Sequence, residues 1–438
     1  MSLKLLPPAH EILAAADFCG IAEEYRTRIV RNVLSRFRAQ LAKEPRAYRD
    51  RATVTSAILG EVNHEVRKLL TPFPQRVING TGILVHTNLG RAPLTAVDLT
   101  TVSHYSNLEW DTDTQKRSSR DRHLDGLLRL LTGAEAALAV NNCASALLLA
   151  LHTIARDREV LVSRSELVEI GGGFRVPEIM EVSGCRLVEV GTTNKTRLED
   201  YAKKLKSKQT VLLKVHQSNF VQQGFVESVG LSELAQLGRK RGVPLVYDNG
   251  SGLLSRPEPA FLESEPTVEQ GLKDGASVVV CSADKLLGSV QAGILVGKAS
   301  LVERMKKNPL YRALRLDKVR LALLHHTLTL YATGRENTIP IWQMATAKLE
   351  HWREKLRLPP GVEWVTLKAQ TGGGSNPERS FDSLGLRISG RSAQEIKTGF
   401  ASRPVPILGY IHANAFYLDV RTLLPDDFIE LQRALDDL

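Results

Sequence analysis

Lys285 stands in the run VVVCSADKLLGSVQAGILVG, within four residues of an apolar stretch ending at Cys281 and just ahead of a Gly-Ser turn. A lysine at a strand's end can reach a crevice and form a Schiff base with a carbonyl. Alone, such a lysine is more often a solvated turn residue. Asp248 closes the apolar run PLVYD and precedes Asn-Gly-Ser-Gly. Those residues suit an ordinary turn. A carboxylate there also suits a buried cation such as the protonated ring nitrogen of pyridoxal phosphate. A phosphate needs a third feature. In AVNNCASALLLAL, Asn141, Asn142, Cys143, Ala144 and Ser145 join a predicted strand to a predicted helix. Free backbone N–H groups and the helix dipole receive a phosphate in such a place, with Ser145 adding a hydroxyl. The ordinary alternative is an N-cap. Cradle, carboxylate and lysine in that order are more specific than any one of them. They point to pyridoxal phosphate held by Lys285, Asp248, Asn142, Cys143, Ala144 and Ser145.

Arginines form a second group. NPLYRALRLDK sets Arg312 and Arg315 three apart, on one face if helical. Arg91 in HTNLGRAPL, with Arg117 and Arg120 in QKRSSRDRH, are further candidates. Guanidinium pairs match phosphate-like oxyanions, although any single arginine is more often a solvated surface charge. Ser282-Ala-Asp-Lys285 and Lys397-Thr-Gly399 fit the S-x-x-K and K-T-G motifs of serine β-lactamases. The context opposes that reading: a strand precedes the serine, and AQEIKTGFA reads as a helix end. The eleven histidines include no H-E-x-x-H and no ligand cluster, so no metal is expected.

The elements that must position these groups follow from periodicity. Strands are predicted at Ala136–Val140, Val160–Ser163, Arg186–Val190, Val211–Val215, Pro244–Tyr247 and Ser277–Cys281. Helices are predicted at Ala144–Ala155, Arg197–Leu205 and Leu231–Arg241. The alternation implies an α/β fold with a mainly parallel, doubly wound sheet, whose functional groups gather at the carboxyl ends of the strands. Ile21, Tyr25, Ile29, Val33 and Phe37 recur at helical spacing from Ile21 to Leu41, with Arg26, Arg28, Arg31, Arg36 and Arg38 between them. A second helix is predicted from Val54 to Leu70, and Thr71-Pro-Phe-Pro reads as a linker. A long helical region is expected over Lys318–Leu356. Beyond the Gly-rich segment Thr371–Ser375 the chain reads as a small α/β domain ending in a helix. The expected domains are 1–70, 71–310 and 311–438.

The length of 438 residues suits two or three domains. The net charge of +10 favours RNA or another anionic partner. Cys19, Cys143, Cys185 and Cys281 are scattered, which argues against disulfides and zinc. No apolar run suits a membrane span, and the first residues lack the unbroken apolar stretch of a signal peptide. A cytoplasmic protein is expected.

Several segments together resemble the bacterial selenocysteine synthase family, the L-seryl-tRNA(Sec) selenium transferases. They include RVINGTGILVHTNLGRAPL, LTGAEAALAVNN, SRSELVEIGGGFRVPEIM, EVGTTNKTRLEDY, LLKVHQSNFVQQGF, DKLLGSVQAGILVGK and PLYRALRLDK. The resemblance covers almost the whole chain. It implies a pyridoxal-phosphate enzyme of fold type I, aspartate-aminotransferase-like, with an N-terminal helical domain that grips the selenocysteine tRNA. It also implies a homo-oligomer, a ring of dimers expected to be a decamer. Lys285 matches the family's cofactor lysine, and Asp284 a residue of the same site. Arg91, Arg312 and Arg315 match arginines that hold the phosphate-like group of the selenium donor, selenophosphate. His216 and Asn219, like the segment Glu166–Phe174, are candidates to border the cofactor ring. The implied reaction has Lys285 remove the seryl α-proton, hydroxide leave to give dehydroalanyl-tRNA, and selenium add to the β-carbon. Ala283, Ser289 and Val290 depart from the family's usual loop. Ser118, Cys143 and Tyr410 depart elsewhere. Two other functions fit the same residues: a pyridoxal-phosphate lyase or transferase of a small amino acid or amino sugar, and a catalytically silent tRNA-binding relative.

Overall fold

The computed structural model describes residues 5–44, 48–170, 173–206, 208–218, 220–255, 262, 265–372 and 380–438. The chain divides into two compact units, Met1–Arg76 and Val77–Leu438. Among the described residues no helix is long and apolar enough to cross a membrane.

The first unit is three helices: α1 (Ala9–Ala15), α2 (Glu23–Lys43) and α3 (Arg51–Leu70). Val54, Ile58, Val62 and Val66 recur every four residues on α3 and are buried against Val30, Val33, Phe37 and Leu41 of α2. Asp50 caps α3 by accepting the Thr53 N–H. Arg36 of α2 reaches Glu61 and Glu65 of α3 at 3.0 and 2.8 Å. The expected apolar stripe is corrected at its start, since Tyr25 is exposed and the stripe closes on Val30, Val33 and Leu34 instead. The helix α1 adds Ile12 to this core.

The second unit is built on a seven-stranded sheet. In chain order its strands are β1 (Ala136–Val140), β2 (Glu159–Ser163), β3 (Arg186–Val190), β4 (Val211–Val215), β5 (Leu245–Asp248), β6 (Val278–Ser282) and β7 (Gly293–Gly297). Their spatial order is β1-β7-β6-β5-β4-β2-β3. All pairs are parallel except those of β7, which runs antiparallel to both β6 and β1. The central strands are apolar runs because both faces are covered. Leu138 and Val140 face one core with Val246, Val278 and Leu295, while Ala137 and Ala139 face another with Val279, Ile294 and Val296. That split is the period of two of a strand. The first core is closed by helix α4 (Cys143–Ile154), through Ala146, Leu147 and Leu151.

Two expectations change. The region Lys318–Leu356 is not one continuous helix but Lys318–Ala332, Pro340–Thr346 and Glu350–Lys355, and the left-handed Gly334 and Pro340 both mark the first break. The C-terminal sheet starts before the Gly-rich segment. It has four antiparallel strands in the order Val362–Gln370, Ser380–Ile388, Ala415–Asp419, Tyr410–His412. Residues 373–375 of that segment lie outside the described residues. Tyr410 stacks on Tyr417 in this sheet, with ring centroids 5.5 Å apart.

Candidate active site

Lys285 lies three residues beyond the end of β6 and is 6% exposed. Its loop is closed by backbone bonds from Ala283 N–H to Ala292 C=O (2.9 Å) and from Leu286 N–H to Ser251 C=O (3.0 Å). The second bond ties the lysine loop to the loop after β5. At Gly252 the two loops press so closely that a Cβ would lie 1.9 Å from the Ser282 carbonyl oxygen, and its φ of +77° also requires glycine. The three departures in the lysine loop are accommodated. Ala283 is fully buried, the Ser289 hydroxyl pairs with Thr327 at 2.9 Å, and Val290 packs on the apolar core.

Asp248 ends β5 and is buried. Burial pushes its carboxyl up to about 6, against the pull of the Lys285 ammonium. Its Oδ1 lies 3.7 Å from Cys143 Sγ. Burial, then the nearby Asp248 charge, drive that thiol well above its ordinary value, so it stays protonated and donates. Cys143 opens α4, whose cap is Asn142, with Oδ1 accepting the Ser145 N–H at 2.8 Å. This corrects the predicted cradle. The Ser145 amide is spent on the cap, and the amides of Cys143 and Ala144 are the ones left without a helical acceptor. Gly293, at the start of β7, lies under the cap; a Cβ there would sit 2.0 Å from the Asn142 carbonyl oxygen. The antiparallel course of β7 brings Gly293 beside Val140 and Ser282, so cradle and lysine strand share one end of the sheet.

The arginines divide. Arg91 Nη1 contacts Asp284 Oδ2 at 2.5 Å, directly beside Lys285 in sequence. The Arg91 backbone is left-handed, with φ +67°. Arg312 and Arg315 do not share a helical face as predicted. The helix Pro309–Leu314 stops before Arg315, which is extended and bridges Val140, while Asn141 N–H donates to Leu314 C=O at 3.0 Å. That bridge puts Arg315 beside the cradle. Arg312 stays on the helix, exposed and without an ion pair among the described residues. Arg315 reaches Glu109 at 3.4 Å, and Arg120 holds the same carboxylate at 2.5 Å while donating to Leu316 C=O at 2.7 Å. The Arg120 hydrogen bond holds the Glu109 carboxyl below its ordinary value. Arg117 is an exposed outer partner of Glu109 at 3.4 Å.

His216 follows β4, and its N–H donates to the Asp248 C=O at 2.8 Å. Its Nε2 lies 3.0 Å from Glu265 Oε1. Asn219 lies outside the described residues, as does the Phe174 side chain. Glu166 is buried and engaged by Lys214 Nζ at 2.5 Å and by the Val215 N–H at 3.0 Å. Sequence reasoning named neither Glu109 nor Glu265, because isolated acids carry no local signature. Their partners are contributed by distant segments.

These groups fit pyridoxal phosphate. A buried amine and a buried carboxyl that faces no guanidinium stand beside a helix N-terminus with two amides to offer. A pyridinium N–H would give the Asp248 carboxyl a hydrogen-bonded cation, and among the described residues it has no ion pair within 4 Å.

The model of the L-seryl-tRNA selenium transferase family matches residues 77–424. The chain is 40% identical over 432 residues to the L-seryl-tRNA(Sec) selenium transferase of Aquifex aeolicus, covering 95% of this chain and 94% of the relative. It is 42% identical over 429 residues to the protein of that name from Geobacter sulfurreducens, covering 93% and 92%. Among solved structures, D-glucosaminate-6-phosphate ammonia-lyase superposes with a TM-score of 0.59 at 18% identity, covering 85% of this chain and 97% of that one. That likeness shows the shared fold.

Proposed function

The chain belongs to the L-seryl-tRNA selenium transferase family, and on that premise we propose that it converts L-seryl-tRNA(Sec) to selenocysteinyl-tRNA(Sec) with pyridoxal phosphate and selenophosphate. One observation carries the reading: Lys285, Asp248 and the first turn of α4 converge at one end of the sheet, with Asp248 touching Cys143 and the lysine loop bonded to the loop after Asp248 through Leu286 N–H and Ser251 C=O.

When bound, pyridoxal phosphate supplies an electron sink that makes the seryl α-proton removable and the β-hydroxyl able to leave. Lys285 would anchor the cofactor and, with its amine free, take the seryl α-proton on Nζ. Asp248 would hold the ring nitrogen's N–H and so favour its charged form. The Cys143 and Ala144 amides and the Ser145 hydroxyl receive the phosphate. Arg91, Arg312 and Arg315 hold the selenophosphate anion near the β-carbon, acting through position and charge. Asp284 orients Arg91 from the lysine loop, and Glu109 with Arg120 orients Arg315.

The first unit binds the tRNA. On α2, Arg28, Arg31 and Arg38 fall on one face by helical spacing, and all three are exposed with no ion pair among the described residues. The protein assembles as a homo-oligomer of dimers. Light scattering at a single molar mass of one protomer would refute that assembly.

The deciding experiment is conversion of purified seryl-tRNA(Sec) with selenophosphate, run beside Lys285→Ala. Conversion by the wild type and none by the variant is expected. A cofactor-loaded wild type that converts nothing would move the substrate to a small amino acid or amino sugar.

A further inference from the structure

Glu265 is 1% exposed and sits in the loop ahead of the helix Val268–Lys273. Its loop is fastened to the segment that follows Asp248. Asn249 Nδ2 donates to the Pro266 C=O at 2.9 Å, and Val268 N–H donates to the Leu253 C=O at 2.8 Å. Among the described residues the carboxylate makes one hydrogen bond, Oε1 to His216 Nε2 at 3.0 Å, and Oε2 is buried without a partner. A dry carboxylate with one polar neighbour is costly, and the cost is reduced only if that neighbour gives it a hydrogen or a charge. A hydrogen on His216 Nε2 meets that need and leaves Nδ1 and the ring face for other contacts. The His216 backbone is fixed as well, by its N–H on the Asp248 carbonyl at 2.8 Å. His216 directly follows Val215, the β4 residue paired with Asp248 across the sheet. Backbone and Nε2 are thus both anchored, on the residue that follows the strand partner of Asp248.

The geometry points to Glu265 as a positioning residue that fixes the tautomer and orientation of His216 toward the pyridoxal-phosphate site. This inference rests on the reading that the site holds that cofactor. In metal sites a carboxylate behind a ligating imidazole sets which nitrogen faces the metal, and its removal costs on the order of 10- to 100-fold in affinity; Glu265 stands behind His216 in the same way.

The test is a double-mutant cycle on the full chain, with Glu265→Gln, His216→Asn and the pair. Each protein is stripped of cofactor and titrated with pyridoxal phosphate. The dissociation constant and the visible circular dichroism of the bound cofactor are read, with the melting temperature of each stripped protein as a folding control. The expected result is a loss of about tenfold in affinity for each single variant. The double variant should be no weaker than the worse single, and all three should show the same altered visible band. Independent, additive losses would overturn the inference. So would an E265Q that melts lower yet keeps both the affinity and the visible band, because Glu265 would then serve only the fold. If E265Q does not fold, Glu265→Asp keeps the charge but withdraws it from Nε2, and unchanged affinity and dichroism in that variant overturn the inference equally. A wild type that takes up no pyridoxal phosphate refutes the cofactor reading itself, and that outcome is separate from all of these.

Discussion

Arg91 Nη1 lies 2.5 Å from Asp284 Oδ2, and Asp284 is the residue before Lys285. The pair joins two segments 193 residues apart, and Asp284 C=O also accepts the Ala92 N–H at 3.2 Å. A guanidinium tied to the lysine loop is placed relative to the reacting carbon by the same turn that places the amine. Arg91→Ala should therefore lower conversion on the order of 10²-fold, the loss typical of one positioned charge donor. The visible absorbance of the loaded enzyme should stay unchanged. Stopped-flow conversion against selenophosphate concentration checks this, and a variant with normal kinetics would remove Arg91 from the donor site.

Asp248 gives a pH prediction for the cofactor-free protein. Its carboxyl is raised from 3.8 to about 6 by burial, a preference for the neutral form of about 3 kcal/mol. Between those values the folded state holds a proton that the unfolded state has released. This group's contribution to stability therefore falls as pH rises from about 4 to about 6 and is flat above. Asp248→Asn should abolish that fall, so the melting temperature at pH 7, taken relative to that at pH 4.5, should be higher in the variant than in the wild type. It should also bind pyridoxal phosphate more weakly. An unaltered pH dependence would show that Asp248 is ionised without the cofactor.

Glu109 and Arg120 carry no substrate group in this reading, yet Arg120 fixes both the Glu109 carboxylate and the Leu316 carbonyl on either side of Arg315. Arg120→Ala should raise KM for selenophosphate about tenfold and leave KM for seryl-tRNA nearly unchanged, because misplacement costs the donor alone. Equal rises in both constants would point to general loosening.

Gly293→Ala tests the cradle from below. The added methyl would meet the Asn142 carbonyl oxygen at 2.0 Å, so the cap must shift. A stability loss of about 1–3 kcal/mol is expected, together with weaker cofactor binding. Urea denaturation and a cofactor titration measure the two, and normal values of both would show that the cap yields freely.

Replacing Arg28, Arg31 and Arg38 together by alanine should weaken tRNA binding and flatten its dependence on salt, with the slope falling by about one for each phosphate the protein no longer neutralises. Anisotropy titrations at several salt concentrations read this. Cofactor uptake should not change, and an unaltered slope would exclude that face of α2.

The chain's own order of residues determined much of this protein. Central strands such as Ala136–Val140 and Val211–Val215 were legible because a strand buried on both faces must be an unbroken apolar run. Lys285, Asp248 and the Asn142–Ser145 turn were legible because each stands where such a run ends. Tertiary structure decided the partners. Arg315 leaves its helix to bridge Val140, a choice that helical spacing cannot reveal. Glu109 meets Arg315 across 206 residues and Glu265 meets His216 across 49. An acid's local sequence is the same whether it faces water or a buried cation, and only packing removes the water and makes the pairing matter.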